Sequence, residues 1–96
     1  MRKTNSRASG KPPLQVWWIY LARCADGTLY CGITKELPRR IDEHNTSRKA
    51  ARYTRSRRPV ALVWSERKSS ISSALKRELQ IKRMRRADKE ALVARK

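Results

Sequence analysis

The chain is 96 residues long and carries 25 Lys and Arg against 8 Asp and Glu, a formal net charge of +17. That length supports one modest core and no second one, and the charge suits nucleic acid, held with a steep dependence on salt, though a membrane surface or an acidic protein would also attract it. No apolar run approaches the roughly 18 residues that cross a bilayer and the N-terminus has no apolar signal core, so the sequence predicts a cytoplasmic protein without a membrane span.

Residues 1–14, MRKTNSRASGKPPL, set Arg2, Lys3, Arg7 and Lys11 among Ser, Gly and Pro, with almost nothing apolar. This composition predicts a disordered basic tail ahead of a single domain over residues 15–96. From Trp17 to Thr34 the residues are β-branched, aromatic or small, and Asp26-Gly27 is a strong hairpin signal. If the loop is Ala25-Asp26-Gly27, with Gly27 in the left-handed conformation, Cys24 pairs with Thr28, Ala22 with Tyr30 and Tyr20 with Gly32. One face then carries Trp17, Ile19, Leu21, Leu29, Cys31 and Ile33, with Arg23 as its polar exception. The other carries Trp18, Tyr20, Ala22, Thr28, Tyr30, Gly32 and Thr34. A tighter Asp26-Gly27 turn would put the two tyrosines on opposite sides and mix the apolar set across both. The bulged register also separates Cys24 from Cys31, which argues against a disulfide; their spacing fits neither a redox motif nor a zinc pair, and both read as buried thiols.

Glu36 to about Asn45 reads as a helix, with Pro38 tolerated in its first turn, Leu37 and Ile41 turned inward, and Arg40 and His44 on the adjacent face. Ser47 to Arg58 is a basic segment around Tyr53. Pro59 precedes a short apolar strand from Val60 to Trp64, and Ile71 to Met84 and Ala87 to Ala94 read as two further helices. This order predicts an α/β sandwich, a small sheet with helices packed on it.

Hydrolysis of a phosphodiester needs a base for the attacking water, positive charge on the non-bridging oxygens and support for the leaving oxygen. Tyr20 and Tyr30 are candidate bases, since a tyrosine beside an arginine and a metal loses its proton more easily than a free one. Arg40 suits the phosphate, and His44, the only histidine, suits a proton relay. Glu78 stands in the stripe Ile71, Ala74, Leu75, Ile81, where the helical period calls for a hydrophobe. Its bland partner is Lys82, four residues on; its functional partner is a Mg²⁺ ion, and with no second carboxylate so placed the site would use one ion. Arg48, Lys49, Arg52, Arg55, Arg57 and Arg58 suit phosphates, Tyr53 suits stacking, and Arg39 and Lys82 extend the same basic surface. Each feature also has an ordinary reading, as half-buried strand tyrosines, a solvated charged face or a surface ion pair.

The order of these features resembles the GIY-YIG nuclease superfamily and, within it, the small stand-alone bacterial UPF0213, or YhbQ-like, proteins. The likeness covers about residues 17–92 and rests on WIYLARCADGTLYCGIT, LPRRIDEHN, ARYTRSRRPVALVWSE and ALKRELQIKRM. It implies a three-stranded antiparallel sheet flanked by helices and a DNA endonuclease, suited to repair or processing, that uses a single Mg²⁺ or Mn²⁺ bound together with DNA. Tyr20 and Tyr30 match the tyrosines of the two name-giving motifs, Arg40 the family arginine, His44 a histidine found in some members, and Glu78 the metal-binding glutamate. Trp18 replaces the first motif's glycine and Cys31 the middle residue of the second. The asparagine that many active members carry after the glutamate helix has no counterpart between Lys82 and Lys96. A non-catalytic nucleic-acid-binding module on the same fold is the alternative expectation. Larger relatives carry a fused targeting domain, which makes a separate targeting protein a further expected partner.

Overall fold

The computed structural model describes residues 16–95, so the expected basic tail lies outside the described residues. The elements are β1 (Trp17–Arg23), β2 (Leu29–Thr34), α1 (Leu37–Thr46), α2 (Arg52–Arg55), β3 (Ala61–Lys68), α3 (Ile71–Lys82) and α4 (Arg86–Ala94). The strands form one antiparallel sheet in the order β2-β1-β3. β1 is central because it alone is apolar or aromatic on both faces: Ile19, Tyr20, Leu21 and Ala22 are consecutive and all buried.

The hairpin takes the bulged register. Gly27 has φ 86°, its N–H donates to the Cys24 carbonyl at 2.9 Å, and Cys24 N–H donates to Thr28 O at 2.9 Å. The Asp26 carboxylate accepts from the Thr28 N–H at 3.0 Å and hydroxyl at 2.6 Å, fixing the loop from inside. Tyr20 therefore stands opposite Gly32 and Ala22 opposite Tyr30.

Both faces of the sheet are covered. On one, Ile19, Leu21 and Cys31 pack with Ala74 and Ile81 of α3 and Leu92 of α4. Each fully buried aliphatic side chain there contributes about 1.5–3 kcal/mol. On the other, Tyr20, Ala22, Cys24 and Val60 pack with Leu37 and Ile41 of α1, so the face that carries the tyrosines is also a core. Cys24 and Cys31 are free, buried and on opposite faces. Arg23, the polar exception on the α3 face, is held by a two-pronged pair with Glu90 of α4, at 2.5 and 2.7 Å.

Three expectations change. β3 runs to Lys68 rather than stopping at Trp64, because Ser65, Glu66, Arg67 and Lys68 continue the pairing with Tyr20 back to Trp17; an edge strand with one open face tolerates such polar residues. The pairing skips Val63, a bulge on β3 between the partners of Leu21 and Ala22. The basic segment contains the turn of helix α2. On α3, Ala74 and Ile81 are buried but Ile71 and Leu75 are 40% and 49% exposed, so the inward stripe is the narrow line through 74, 78 and 81; Leu75 lies about 100° round the helix from Ala74. Among the described residues no helix is long and apolar enough to cross a membrane.

Candidate active site

Tyr20 is placed by the central strand on the α1 face, and its ring packs closely against Gly32. A Cβ at position 32 would sit 2.6 Å from Tyr20 Oη and 2.7 Å from Cζ. That close approach is what glycine supplies at this point of β2. The hydroxyl reaches His44 Nε2 at 2.6 Å. His44 is fully buried, and its Nδ1 lies 2.8 Å from Oγ1 of Thr54, itself fully buried. Thr54 in turn donates to Ala51 O at 2.9 Å. Tyr30 packs edge-on to the His44 ring with centroids 5.2 Å apart and lies 6.3 Å from the Tyr20 ring. Tyr53 stacks on Tyr30 at 6.1 Å, and the Arg57 guanidinium covers Tyr53 at 3.9 Å.

Burial sets the protonation of this group. It lowers His44 to about 4, helped by the positive charge of Arg40 and opposed by Glu43, so the imidazole is neutral at pH 7. Burial likewise raises the Tyr20 phenol well above its ordinary value, with Tyr30 adding to the effect and Arg40 opposing it. The expectation that Tyr20 ionises easily is thus corrected: in the free protein desolvation outweighs the neighbouring cation, and Tyr20 keeps its proton.

Arg40 stands beside Tyr20 and Tyr30, with 23% of its side chain exposed. It is braced by Glu43 at 3.1 Å and by the Lys49 carbonyl at 2.9 Å. The basic segment divides into two groups. Arg48, Lys49, Arg52, Tyr53 and Arg55 are exposed, and Arg39 and Lys82 are 63% and 52% exposed beside their acidic neighbours. Arg57 is tied to Asp26 at 3.0 Å and to Tyr53 O at 2.9 Å. Arg58 points inward and donates to the carbonyls of His44 and Ser47, both at 2.6 Å, at the C-terminal end of α1. Both contacts hold the guanidinium against the end of a helix, so in the free protein Arg58 is engaged structurally and does not reach out with the exposed arginines.

Glu78 belongs to α3, whose buried stripe packs on the opposite sheet face from Tyr20. It faces the α3 side of the sheet, 16% exposed, with Lys82 Nζ at 3.3 Å. Its charge reaches Cys31, whose thiol is pushed up to about 11, first by burial and then by Glu78. Cys31 alternates with Tyr30 and Gly32 on β2, and β2 is an edge strand. Tyr20, Tyr30, Arg40 and His44 gather on the α1 face of the sheet, while Glu78 lies near Cys31 of the same edge strand on the α3 face. Among the described residues no three His, Cys, Asp or Glu side chains converge on one point.

Sequence reasoning missed Thr54, Glu43, Asn45 and the inward turn of Arg58. Asn45 binds both the N–H and the carbonyl of Val60, at 2.7 and 2.8 Å, joining α1 to the entry of β3. The helical spacing of Arg40 and Glu43 was a usable signal for their pair; for Thr54 the sequence offers none, because its partner is ten residues away across a loop.

The GIY-YIG catalytic domain family matches residues 16–91. A UPF0213 protein of Desulfotalea psychrophila is 56% identical over 77 residues, covering 80% of this chain and 70% of that one. A UPF0213 protein of Syntrophus aciditrophicus is 49% identical over 76 residues, covering 79% and 87%. Among solved structures, that of a UPF0213 protein from Bacillus halodurans aligns with a TM-score of 0.56 at 38% identity, covering 84% of this chain and 85% of that one. A protein of E. faecalis aligns with a TM-score of 0.54 at 33% identity, covering 79% and 80%. The chain belongs to the GIY-YIG nuclease superfamily and, within it, to the UPF0213 proteins.

Proposed function

We propose that this protein is a divalent-metal-dependent DNA endonuclease whose proton acceptor is the Tyr20–His44 pair. The observation that carries the reading is the 2.6 Å contact between the Tyr20 hydroxyl and a buried, neutral imidazole, beside the Arg40 guanidinium and next to an exposed basic surface. A phenol that keeps its proton is a poor base alone, but one that hands its proton to Nε2 can accept another in the same step. In this mechanism DNA binding admits the attacking water to Tyr20, which is 1% exposed in the free protein; Arg40 holds a non-bridging phosphate oxygen, the water gives a proton to Tyr20 Oη, and the Tyr20 proton passes to His44. Tyr30, half-exposed against the same imidazole, is the second candidate to meet the water.

The donor chemistry fits a metal that keeps most of its water. Glu78 offers one partly exposed carboxylate whose partner, Lys82, is itself exposed and easily displaced. A lone carboxylate suits Mg²⁺ or Mn²⁺ completed by water and substrate phosphate. Bound there, the ion would supply Lewis-acid stabilisation of charge on the phosphate and leaving oxygen. Arg48, Lys49, Arg52 and Arg55 serve as the surface along which DNA lies, with Arg39 and Lys82 at its margins.

The test is cleavage of single-stranded, duplex, flap and branched DNA by the wild type, Tyr20→Phe and Tyr30→Phe. The reading predicts cutting that Tyr20→Phe abolishes and Tyr30→Phe weakens. Loss confined to Tyr30→Phe would move the acceptor role to Tyr30. DNA bound but uncut by the wild type would leave a nucleic-acid-binding module.

A further inference from the structure

The Tyr20–His44 pair does not end at the imidazole. Thr54 closes it from behind, and its hydroxyl has a single proton to give. His44 and Thr54 are both fully buried, so every polar hydrogen in the chain needs a protein acceptor. With the Thr54 hydroxyl donating to Ala51 O at 2.9 Å, Oγ1 can only accept from His44, so Nδ1 at 2.8 Å carries the imidazole proton. Nε2 is then bare and accepts from Tyr20 at 2.6 Å, and all three hydrogens are placed.

The opposite arrangement fails on one count. If the Thr54 hydroxyl turned to donate to Nδ1, Nε2–H would point at Tyr20 Oη and the phenolic hydrogen would have to find another acceptor. Tyr20 is 1% exposed, and its charged neighbour Arg40 has only donors to offer. A buried hydroxyl hydrogen without a partner costs about 1–3 kcal/mol, enough to fix the first arrangement.

We propose that Thr54 is a positioning residue that locks His44 in its Nδ1–H tautomer, so that Nε2 faces Tyr20 as a proton acceptor. The inference rests on the nuclease reading for its consequence and on the buried hydrogen-bond chain for its geometry. On the nuclease reading, DNA binding opens Tyr20 Oη, buried in the free protein, to the attacking water; the water O–H then breaks as its proton bonds to Oη, and the Tyr20 proton moves to Nε2. The resulting imidazolium keeps Nδ1–H on Thr54. The water oxygen forms its bond to phosphorus, the bond from phosphorus to the leaving oxygen breaks, and that oxygen takes a proton from solvent. Thr54 sits in α2, within the basic segment, and so ties the position of the DNA-facing surface to the tautomer of the base.

His44 being the only histidine, its side-chain nitrogens can be read without assignment ambiguity by ¹⁵N NMR on the full chain. The wild type should show a protonated Nδ1 and a bare Nε2 at pH 7. Thr54→Val, which keeps the shape and removes the hydroxyl, should populate the Nε2–H tautomer and lower kcat roughly 10- to 100-fold with KM unchanged, the scale set by the loss of an orienting partner of a functional histidine. Thr54→Ser should restore both. A wild-type imidazole protonated on Nε2 would overturn the inference, as would a folded Thr54→Val with the wild-type tautomer and kcat. If Thr54→Val does not fold, the wild-type spectrum and Thr54→Ser decide: Ser must reproduce the wild-type tautomer and rate, and failure to do so overturns the assignment. A wild type that cuts no DNA overturns the nuclease reading, while the tautomer, read without substrate, still tests the lock.

Discussion

Replacing Gly32 by Ala should damage the protein far more than a single methyl group suggests. The new Cβ would stand 2.6 Å from Tyr20 Oη, 2.7 Å from Cζ and 3.0 Å from Cε1, where ordinary contact begins at 3.4 Å. Tyr20 is 1% exposed and hydrogen-bonded to a fully buried His44, so the ring has no open side to move into. Overpacking of this kind costs about 1–3 kcal/mol. Displacing the hydroxyl from Nε2 costs about 1–3 kcal/mol more, and about 0.4–1 kcal/mol is recovered because Ala restricts the unfolded chain. The net expectation is a loss of about 2–4 kcal/mol; at about 4–8 °C per kcal/mol for a domain of this size, Tm should fall by roughly 10–30 °C. Urea unfolding of Gly32→Ala in the wild-type and Tyr20→Leu backgrounds isolates the cause, because Leu removes Cζ and Oη together. Gly27→Ala is the control: its φ of +86° imposes a backbone cost but its Cβ meets nothing within 4 Å, so about 1–2 kcal/mol should be lost with the Tyr20–His44 contact intact. An equal cost of Gly32→Ala in both backgrounds, or a cost below that of Gly27→Ala, would refute the packing argument.

The protonation of His44 sets a pH dependence of stability. A histidine near 6.5 when unfolded and about 4 when folded leaves the unfolded state with more bound protons between those values, so stability rises with pH through that window and is lost as pH falls toward 4. At 1.36 kcal/mol per pH unit the full effect is about 3 kcal/mol; urea midpoints of the wild type and His44→Gln should converge as the pH drops from 7 to 4, and parallel curves would contradict the burial of a neutral imidazole. Arg58→Ala should cost about 2 kcal/mol, because it frees two carbonyls at the end of α1 from charge-assisted hydrogen bonds, while leaving the salt slope of DNA binding unchanged. Arg52→Ala and Arg55→Ala should each reduce that slope by about 1 with little effect on Tm. Equal salt slopes for all three variants would undo the division of the basic segment.

What the sequence made legible was local. The Asp26-Gly27 loop has one register that sorts the apolar residues of both strands onto one side, and this places Tyr20, Tyr30 and both cysteines from the sequence alone. The four-residue spacing of Arg40 and His44 placed them together for the same reason. The rest depended on contacts between distant segments. Burial of His44 follows from α2 and Val60 closing over α1, and no periodicity in the basic segment announces that Thr54 turns inward while Arg52 and Arg55 turn out. The inward turn of Arg58 reflects the free carbonyls at the end of α1, which a charge count does not reveal. Glu78 stands out in the sequence as a carboxylate where the helical period calls for a hydrophobe, but only the packing of the sheet shows that its helix covers the face opposite Tyr20.

Metal-dependent hydrolysis would be the work of this chain's own residues, with Glu78 holding the ion. The most direct measurement is single-turnover cleavage of branched and duplex DNA by wild type and Glu78→Gln, in Mg²⁺, in Mn²⁺ and in EDTA, with DNA binding measured in parallel. Cutting is expected from the wild type in either metal, with none in EDTA and none by Glu78→Gln, although that variant stays folded and still binds DNA. Cleavage by Glu78→Gln at the wild-type rate, or cleavage that persists in EDTA, would contradict this expectation.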